Sequence, residues 1–312
     1  MYSTMSSEQE MLRDSVRRFM KSEVAPTVAQ HDKDKTFPFE LLKELSQFGY
    51  IGGRLPEALG GMDMDQMTWA MLMEEAGYTW LSLRTMVNIT NAAINKLAAE
   101  ANEEQRERFL KPLLASERKV FNAISEPSTG SNIAQVQTRA DLQGDHYVLN
   151  GRKLWITNGA FGDFGIVVAR TFSPDCQGGL STFLVERDVS PYEVRNVDTM
   201  VLRSTGTAEL AFDNVKVPRE NLLGEEGNAL KKMLMGLDGG CRGHRRPDPR
   251  AVCRAHAAVP CRSASRLRCA GQPGGHHRRR AERCCADRKI AERSGGGPQP
   301  GLRDRSDRAG LW

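Results

Sequence analysis

Phe121–Ala140, FNAISEPSTGSNIAQVQTRA, marks the point where the chain changes character. Before it, residues 1–118 repeat apolar side chains at helical intervals. After it, residues 119–225 fall into short runs of β formers separated by Gly and Asp turns. Within it, Pro127 and Gly130 force a turn that is crowded with Ser125, Ser128, Thr129, Ser131 and Asn132. Hydroxyls and main-chain N–H groups in such a turn suit a cofactor or a phosphate-bearing ligand. A polar loop of a β domain is the competing reading, and these residues alone leave both open.

Upstream, Glu8–Val24 sets Met11, Val16, Phe19 and Met20 among charges, and Phe39–Phe48 carries a stripe of Phe39, Leu41, Leu42, Leu45 and Phe48. Both are expected to be helices, with Pro38 in an early helical position and Gly49, Gly52 and Gly53 ending the second. Pro56 and Gly60-Gly61 mark a loop, and helical patterning resumes over Met64–Tyr78, Leu81–Glu100 and Glu103–Leu113. Downstream, strands are expected at Tyr147–Leu149, Lys153–Ile156, Ile166–Ala169, Ser181–Val185 and Ala208–Phe212. The sheet they imply is mostly antiparallel. A further helix is expected from Ala229 to Leu237, interrupted by Gly239-Gly240.

A second dense segment is Leu149–Gly159, LNGRKLWITNG. Trp155 there can cover one face of a planar ring while Thr157 donates a hydrogen bond at its edge. A tryptophan buried in a strand is the equal alternative.

Charge divides the chain as sharply as periodicity does. The whole carries 44 basic and 39 acidic side chains, formally +5. Residues 241–312 hold 18 of the basic and 6 of the acidic ones, so residues 1–240 are left at −7. The basic segment has six of the seven cysteines and no aromatic but Trp312, and therefore lacks the stacking platform of a single-strand nucleic-acid binder. No nucleic acid is expected as partner. No C-x₂-C pair is present, so no metal site is expected either. Arg/Gly/Pro-rich composition with little apolar surface predicts disorder there. A frameshifted reading of a GC-rich gene explains that composition most simply. No 18-residue apolar run or secretory leader is seen, so the expectation is a cytoplasmic protein without a membrane span.

Four segments taken together carry a resemblance. AISEPSTGSN (123–132), LNGRKLWITNG (149–159), LRSTGTAELAFDNVKVPRENLLGEEG (202–227) and IGGRLPEALGG (51–61) resemble, in order and separation, motifs of the acyl-CoA dehydrogenases. These are FAD-dependent enzymes that oxidise acyl-CoA thioesters at Cα–Cβ. The resemblance covers residues 5–240. It implies an α+β fold with an N-terminal α-helical domain (1–118), a middle β domain (119–225) and an incomplete C-terminal α-helical domain that starts at 226–240. Residues 241–312 are left as an aberrant tail.

The resemblance also implies roles. Ile124 and Ser125 correspond to flavin-contacting positions. Ser131 is expected at the FAD pyrophosphate or the substrate's entry path, with Gly130 permitting close approach. Trp155 and Ile156 belong to the segment wrapping the flavin, with Trp155 against the isoalloxazine and Thr157 near its N5. Asn122 stands where an aromatic residue is common, and Asn132 where aspartate is usual. Arg84 falls where glutaryl-CoA dehydrogenases carry an arginine for the distal carboxylate; a solvent-facing helical arginine is the alternative. Implied partners are an acyl-CoA and an electron-transfer flavoprotein, with a homo-tetramer or homo-dimer if the chain is intact. Most relatives place the catalytic glutamate beyond residue 240, and the minority position meets Gly239 and Gly240, so no residue is assigned as base. The expected activity is dehydrogenation, impaired in this chain. An inactive fold remnant or a binding protein without redox turnover is the alternative.

Overall fold

A computed structural model describes residues 5–234. The expectations for the tail, and for the helix beyond Leu234, lie outside the described residues.

Ser6 starts the helical region. Its hydroxyl accepts from the Gln9 amide, while the Gln9 side chain accepts from the Ser6 amide, a reciprocal cap on α1 (Ser7–Phe19). A π-helical turn, Met20–Val24, leads into α2 (Ala25–Asp34). No apolar stripe announces α2 in the sequence because it buries no residue. α3 (Glu40–Ser46) buries Leu41, Leu42 and Leu45. Pro38 precedes this helix instead of lying in its first turn. Phe37 and Phe39 flank it and pack their rings 5.2 Å apart, which fixes the connection there.

The glycine-rich loop that follows is a packed structure. Asn91 Oδ1 accepts from the Gly52 amide at 2.9 Å and its Nδ2 donates to the Tyr50 carbonyl at 2.7 Å. A side chain on Gly61 would collide with the Leu55 main chain. Asp65 caps α4 (Gln66–Thr79) through the Met67 and Thr68 amides. α5 (Leu81–Glu100) buries Leu83, Met86, Val87, Ile94 and Leu97 on one side. α6 (Glu103–Gln105) and α7 (Lys111–Leu114) flank a second π-helical turn, Arg106–Leu110.

The helix-to-strand change falls between Leu114 and Val120. The strands are β1 (Val120–Ala123), β2 (Arg139–Gln143), β3 (His146–Ile156), β4 (Phe164–Phe172), β5 (Gln177–Glu186), β6 (Glu193–Asn196), β7 (Ala208–Pro218) and β8 (Leu222–Leu223). They form one sheet in the order β6-β7-β3-β2-β4-β5-β8, with β1 added alongside β4. Pairing is antiparallel except at β1–β4 and β2–β4. The two runs expected at Tyr147–Leu149 and Lys153–Ile156 are one strand, β3, whose register against β7 shifts at Gly151 and again after Lys153. β1, β2, β6 and β8 were not anticipated: none is longer than five residues, and RADLQ and EVRN are poor in β formers.

β4 is buried on both faces. Phe164 and Ile166 join the helical core, together with Val120, Leu184 and Leu223. Val167 and Ala169 join Phe121, Tyr147, Leu149 and Phe183 on the opposite side. Polar groups fasten the same junction. Gln105 Nε2 donates to the carbonyls of Glu220 and Leu222 at 2.8 and 2.9 Å. Glu186, with its side chain 8% exposed, pairs with Arg108 at 2.8 Å and Arg118 at 3.1 Å. A helix begins at Ala229 and is described as far as Leu234.

Candidate functional site

The polar turn and the tryptophan strand are neighbours. Chain leaving β1 runs beside the end of β3, and the Leu154 amide donates to the Ser125 carbonyl at 3.0 Å. Asn122, one step earlier, donates from Nδ2 to the Ile89 carbonyl of α5 at 3.4 Å, so this edge also meets the helical region. Ile124 is half-buried against a small cluster of Val136, Val168, Leu180 and Ala229.

Trp155 owes its position to a bulge. Lys153 pairs with Leu210 and Ile156 with Ala208, so Leu154 and Trp155 together face the single residue Glu209. Trp155 takes up the extra residue with φ at 61°, a left-handed conformation that side chains other than glycine rarely adopt. Its side chain consequently turns out of the sheet, and the residue is 58% exposed. The alternative of a core tryptophan is excluded. Ile156, next along, is buried among Phe121, Ala208 and Leu210 and only 2% exposed, and its carbonyl accepts from the Gly159 amide at 3.1 Å, so it backs the site from within the sheet.

Thr157 follows, half-buried, and Asn158 again has a left-handed φ of 64°. Asn158 secures the turn by donating from Nδ2 to the Val120 carbonyl at 2.7 Å and from its amide to the Thr205 carbonyl at 2.8 Å. Ser204 and Arg203 of the same 202–206 segment bond to carbonyls of His31 and Asp32 at the end of α2.

The 126–138 turn is closed by one carboxylate. Glu126 accepts from the Gln137 and Thr138 amides at 2.7 and 2.8 Å. Lys153 Nζ reaches it at 2.8 Å and also donates to the Ile124 carbonyl at 3.1 Å. The two charged side chains are 0% and 3% exposed. Burial pushes the Lys153 ammonium down to about 8, against the opposing pull of Glu126. Burial also pushes the Glu126 carboxyl up, but the hydrogen bonds from Lys153, Thr138 and Gln137 outweigh it and hold it below the ordinary carboxylate value.

Sequence reasoning passed over this pair, because lysine and glutamate are seldom buried. The available signal was parity: Lys153 shares the inward alternation of Tyr147 and Leu149.

The remaining anticipated residues are more loosely placed. Ser131 and Gly130 are exposed at the tip of the turn, and a side chain at Gly130 would meet nothing within 4 Å. Nothing in the protein itself therefore requires glycine there. Arg84 is exposed on α5 with its side chain toward Gly77 of α4, and no hydrogen bond joins it to the turn or to Trp155. Among the described residues there is no cluster of metal-ligating side chains and no helix long and apolar enough to cross a membrane.

The site therefore offers an exposed indole face, flanked by Ser125 and Thr157, whose hydroxyls have no hydrogen-bond partner among the described residues. That combination fits a planar, polar-edged ligand of flavin type.

Comparison with known proteins agrees along the chain. Residues 6–117 match the family described as acyl-CoA dehydrogenase, N-terminal domain, and residues 122–215 match acyl-CoA dehydrogenase, middle domain. The short-chain-specific acyl-CoA dehydrogenase of Clostridium acetobutylicum is 33% identical over 241 residues, 76% of this chain and 63% of the relative. A glutaryl-CoA dehydrogenase of Mycobacterium smegmatis, solved in complex with FADH2, superposes with a TM-score of 0.65 at 28% identity, covering 70% of this chain and 56% of that one. Butyryl-CoA dehydrogenase of Megasphaera elsdenii gives 0.68 at 31% identity, with 77% and 64% covered. The chain thus spans less than two thirds of the length of these relatives.

Proposed function

The chain belongs to the acyl-CoA dehydrogenase family, and from that premise we propose that residues 5–234 hold the flavin and the thioester of an FAD-dependent acyl-CoA dehydrogenase. The observation that carries this reading is the bulge that turns Trp155 outward beside the Ser125 edge. FAD, when bound, supplies the acceptor for a hydride leaving the substrate's Cβ.

The chain's own residues do the holding. Trp155 covers one face of the ring system. Thr157 and Ser125 present hydroxyls at its edge, and the tip of the turn with Gly130 and Ser131 meets the pyrophosphate or the entering thioester. Main-chain fixation of Ser125 to Leu154 keeps these groups in one register, and such a reaction depends on register because orientation contributes much of the rate. No described residue is proposed as the base that removes the α-proton. Electrons would pass to an electron-transfer flavoprotein. Arg84 is proposed to meet a distal carboxylate of a short dicarboxylic acyl group. The similarity to a glutaryl-CoA dehydrogenase supports that reading; the exposure of Arg84 on α5 fits it and the solvent-facing alternative equally.

The test is anaerobic addition of straight-chain, branched and dicarboxylic acyl-CoAs to the FAD-loaded chain. Bleaching of the flavin's visible absorbance supports the enzyme. Flavin binding without bleaching supports the alternative, a fold that binds but does not turn over. Failure to bind FAD overturns the enzyme and leaves the other form of the alternative, an inactive fold remnant.

A further inference from the structure

We propose that Lys153 is a positioning residue whose charge locks the Ile124–Glu126 edge onto β3 and thereby sets how tightly the flavin is held. This rests on the flavin reading of the Trp155 face.

The geometry is a three-way clasp. From the inward side of β3, Lys153 Nζ donates to the Ile124 carbonyl and to Glu126 Oε1. Glu126 in turn holds the Gln137 and Thr138 amides and so ties both ends of the polar turn. The next residue, Leu154, donates to Ser125, and the one after is Trp155. Every flavin-facing group named above except Thr157 is therefore one or two residues from this clasp or inside the turn it closes. Among the described residues Glu126 is the only charged group that the ammonium faces; its other partner is a main-chain carbonyl.

Charge matters because both groups are out of water. A protonated Lys153 neutralises Glu126, whereas a neutral amine leaves a buried carboxylate uncompensated and weakens its hold on the edge. The burial of Lys153 that brings its titration to about 8 puts this change within reach of ordinary buffers.

Two consequences of opposite sign follow. The folded chain gives up the Lys153 proton near pH 8 while the unfolded chain keeps it to 10.5, so this group makes global stability rise with pH between those values. FAD affinity should instead fall over the same range, because the flavin-holding form is the protonated one. A residue that served stability alone would not separate the two.

The experiment titrates the full chain with FAD from about pH 7 to about pH 9.5, following flavin fluorescence, with urea unfolding at each pH. The double variant Lys153→Met/Glu126→Gln is compared; it removes both charges and keeps the volume. The expected result is at least a tenfold weakening of FAD binding across the range in the native chain, without a parallel loss of stability. The variant should bind weakly and show no pH dependence. A flat profile in the native chain, or native affinity in the variant, overturns the proposal. If the variant does not fold, the native profile decides. If the native chain binds no FAD at any pH, the flavin reading has failed. The clasp is then judged without ligand from hydrogen exchange at the Leu154, Gln137 and Thr138 amides. Exchange at least tenfold faster in the variant supports the clasp, and equal rates overturn it.

Discussion

Trp155 combines three properties that seldom coincide: a large apolar ring, exposure, and a left-handed backbone. Held this way, it contributes little to the core and is available to a ligand. Trp155→Ala should therefore leave the urea midpoint nearly unchanged while weakening FAD binding by about tenfold, the size of one aromatic stacking contact. A parallel loss of stability would show the ring to be structural. Glu126 makes the contrasting prediction. Its folded carboxyl lies below the unfolded value of 4.5, so the stability it adds is present above that value and drains as pH falls through the folded one. Glu126→Gln should flatten the acid limb of the stability profile, measured by urea midpoints between neutral pH and about pH 3. At this scale the sequence disclosed the segment but not the orientation. The residues left Trp155 equally a core residue, because a bulge depends on pairing with β7 and has no composition of its own.

Elements were legible where burial imposes a period. α5 was read at its true limits, Leu81 and Glu100, since one side of it is packed throughout. α2 and β6 were missed for the converse reason: neither buries a residue, so neither carries a pattern. β3 was divided in two because glycine at position 151 reads as a turn. In the structure Gly151 lies within the strand with φ at 149°, and a side chain there would come within 2.7 Å of the Thr138 main chain. Thr138 is one of the residues tied to Glu126. Gly151→Val should accordingly destabilise by about 1–3 kcal/mol, as overpacking does. Thermal unfolding would register it, and an unchanged midpoint would show that β2 and β3 can part without consequence.

Over the whole described region, helices and sheet are fastened by charge as well as by apolar packing. Glu186 lies between Arg108 and Arg118, and Arg118 also covers the rings of Phe109 and Phe164. Glu186→Gln would leave Arg118 without a carboxylate partner among the described residues and Arg108 with only the more distant Glu104 and Glu220, at 3.8 and 3.6 Å, at a cost of about 1–3 kcal/mol. Unfolding should stay a single transition at lower temperature; two separate transitions would show that the junction, and not the apolar core, couples the two regions.

The placement of Leu223 in the helical core has a consequence for synthesis. The N-terminal helices end at Leu114, yet their core is completed by side chains that include one more than a hundred residues later. At about 5–20 residues per second, the ribosome needs roughly 5–20 s to deliver it. For that interval the emerged helices present an unfinished apolar surface to solvent, a window in which a chaperone or a neighbouring nascent chain can engage them. Nascent chains stalled just after the helices should be cut readily by a protease, and those stalled after Leu223 should resist it.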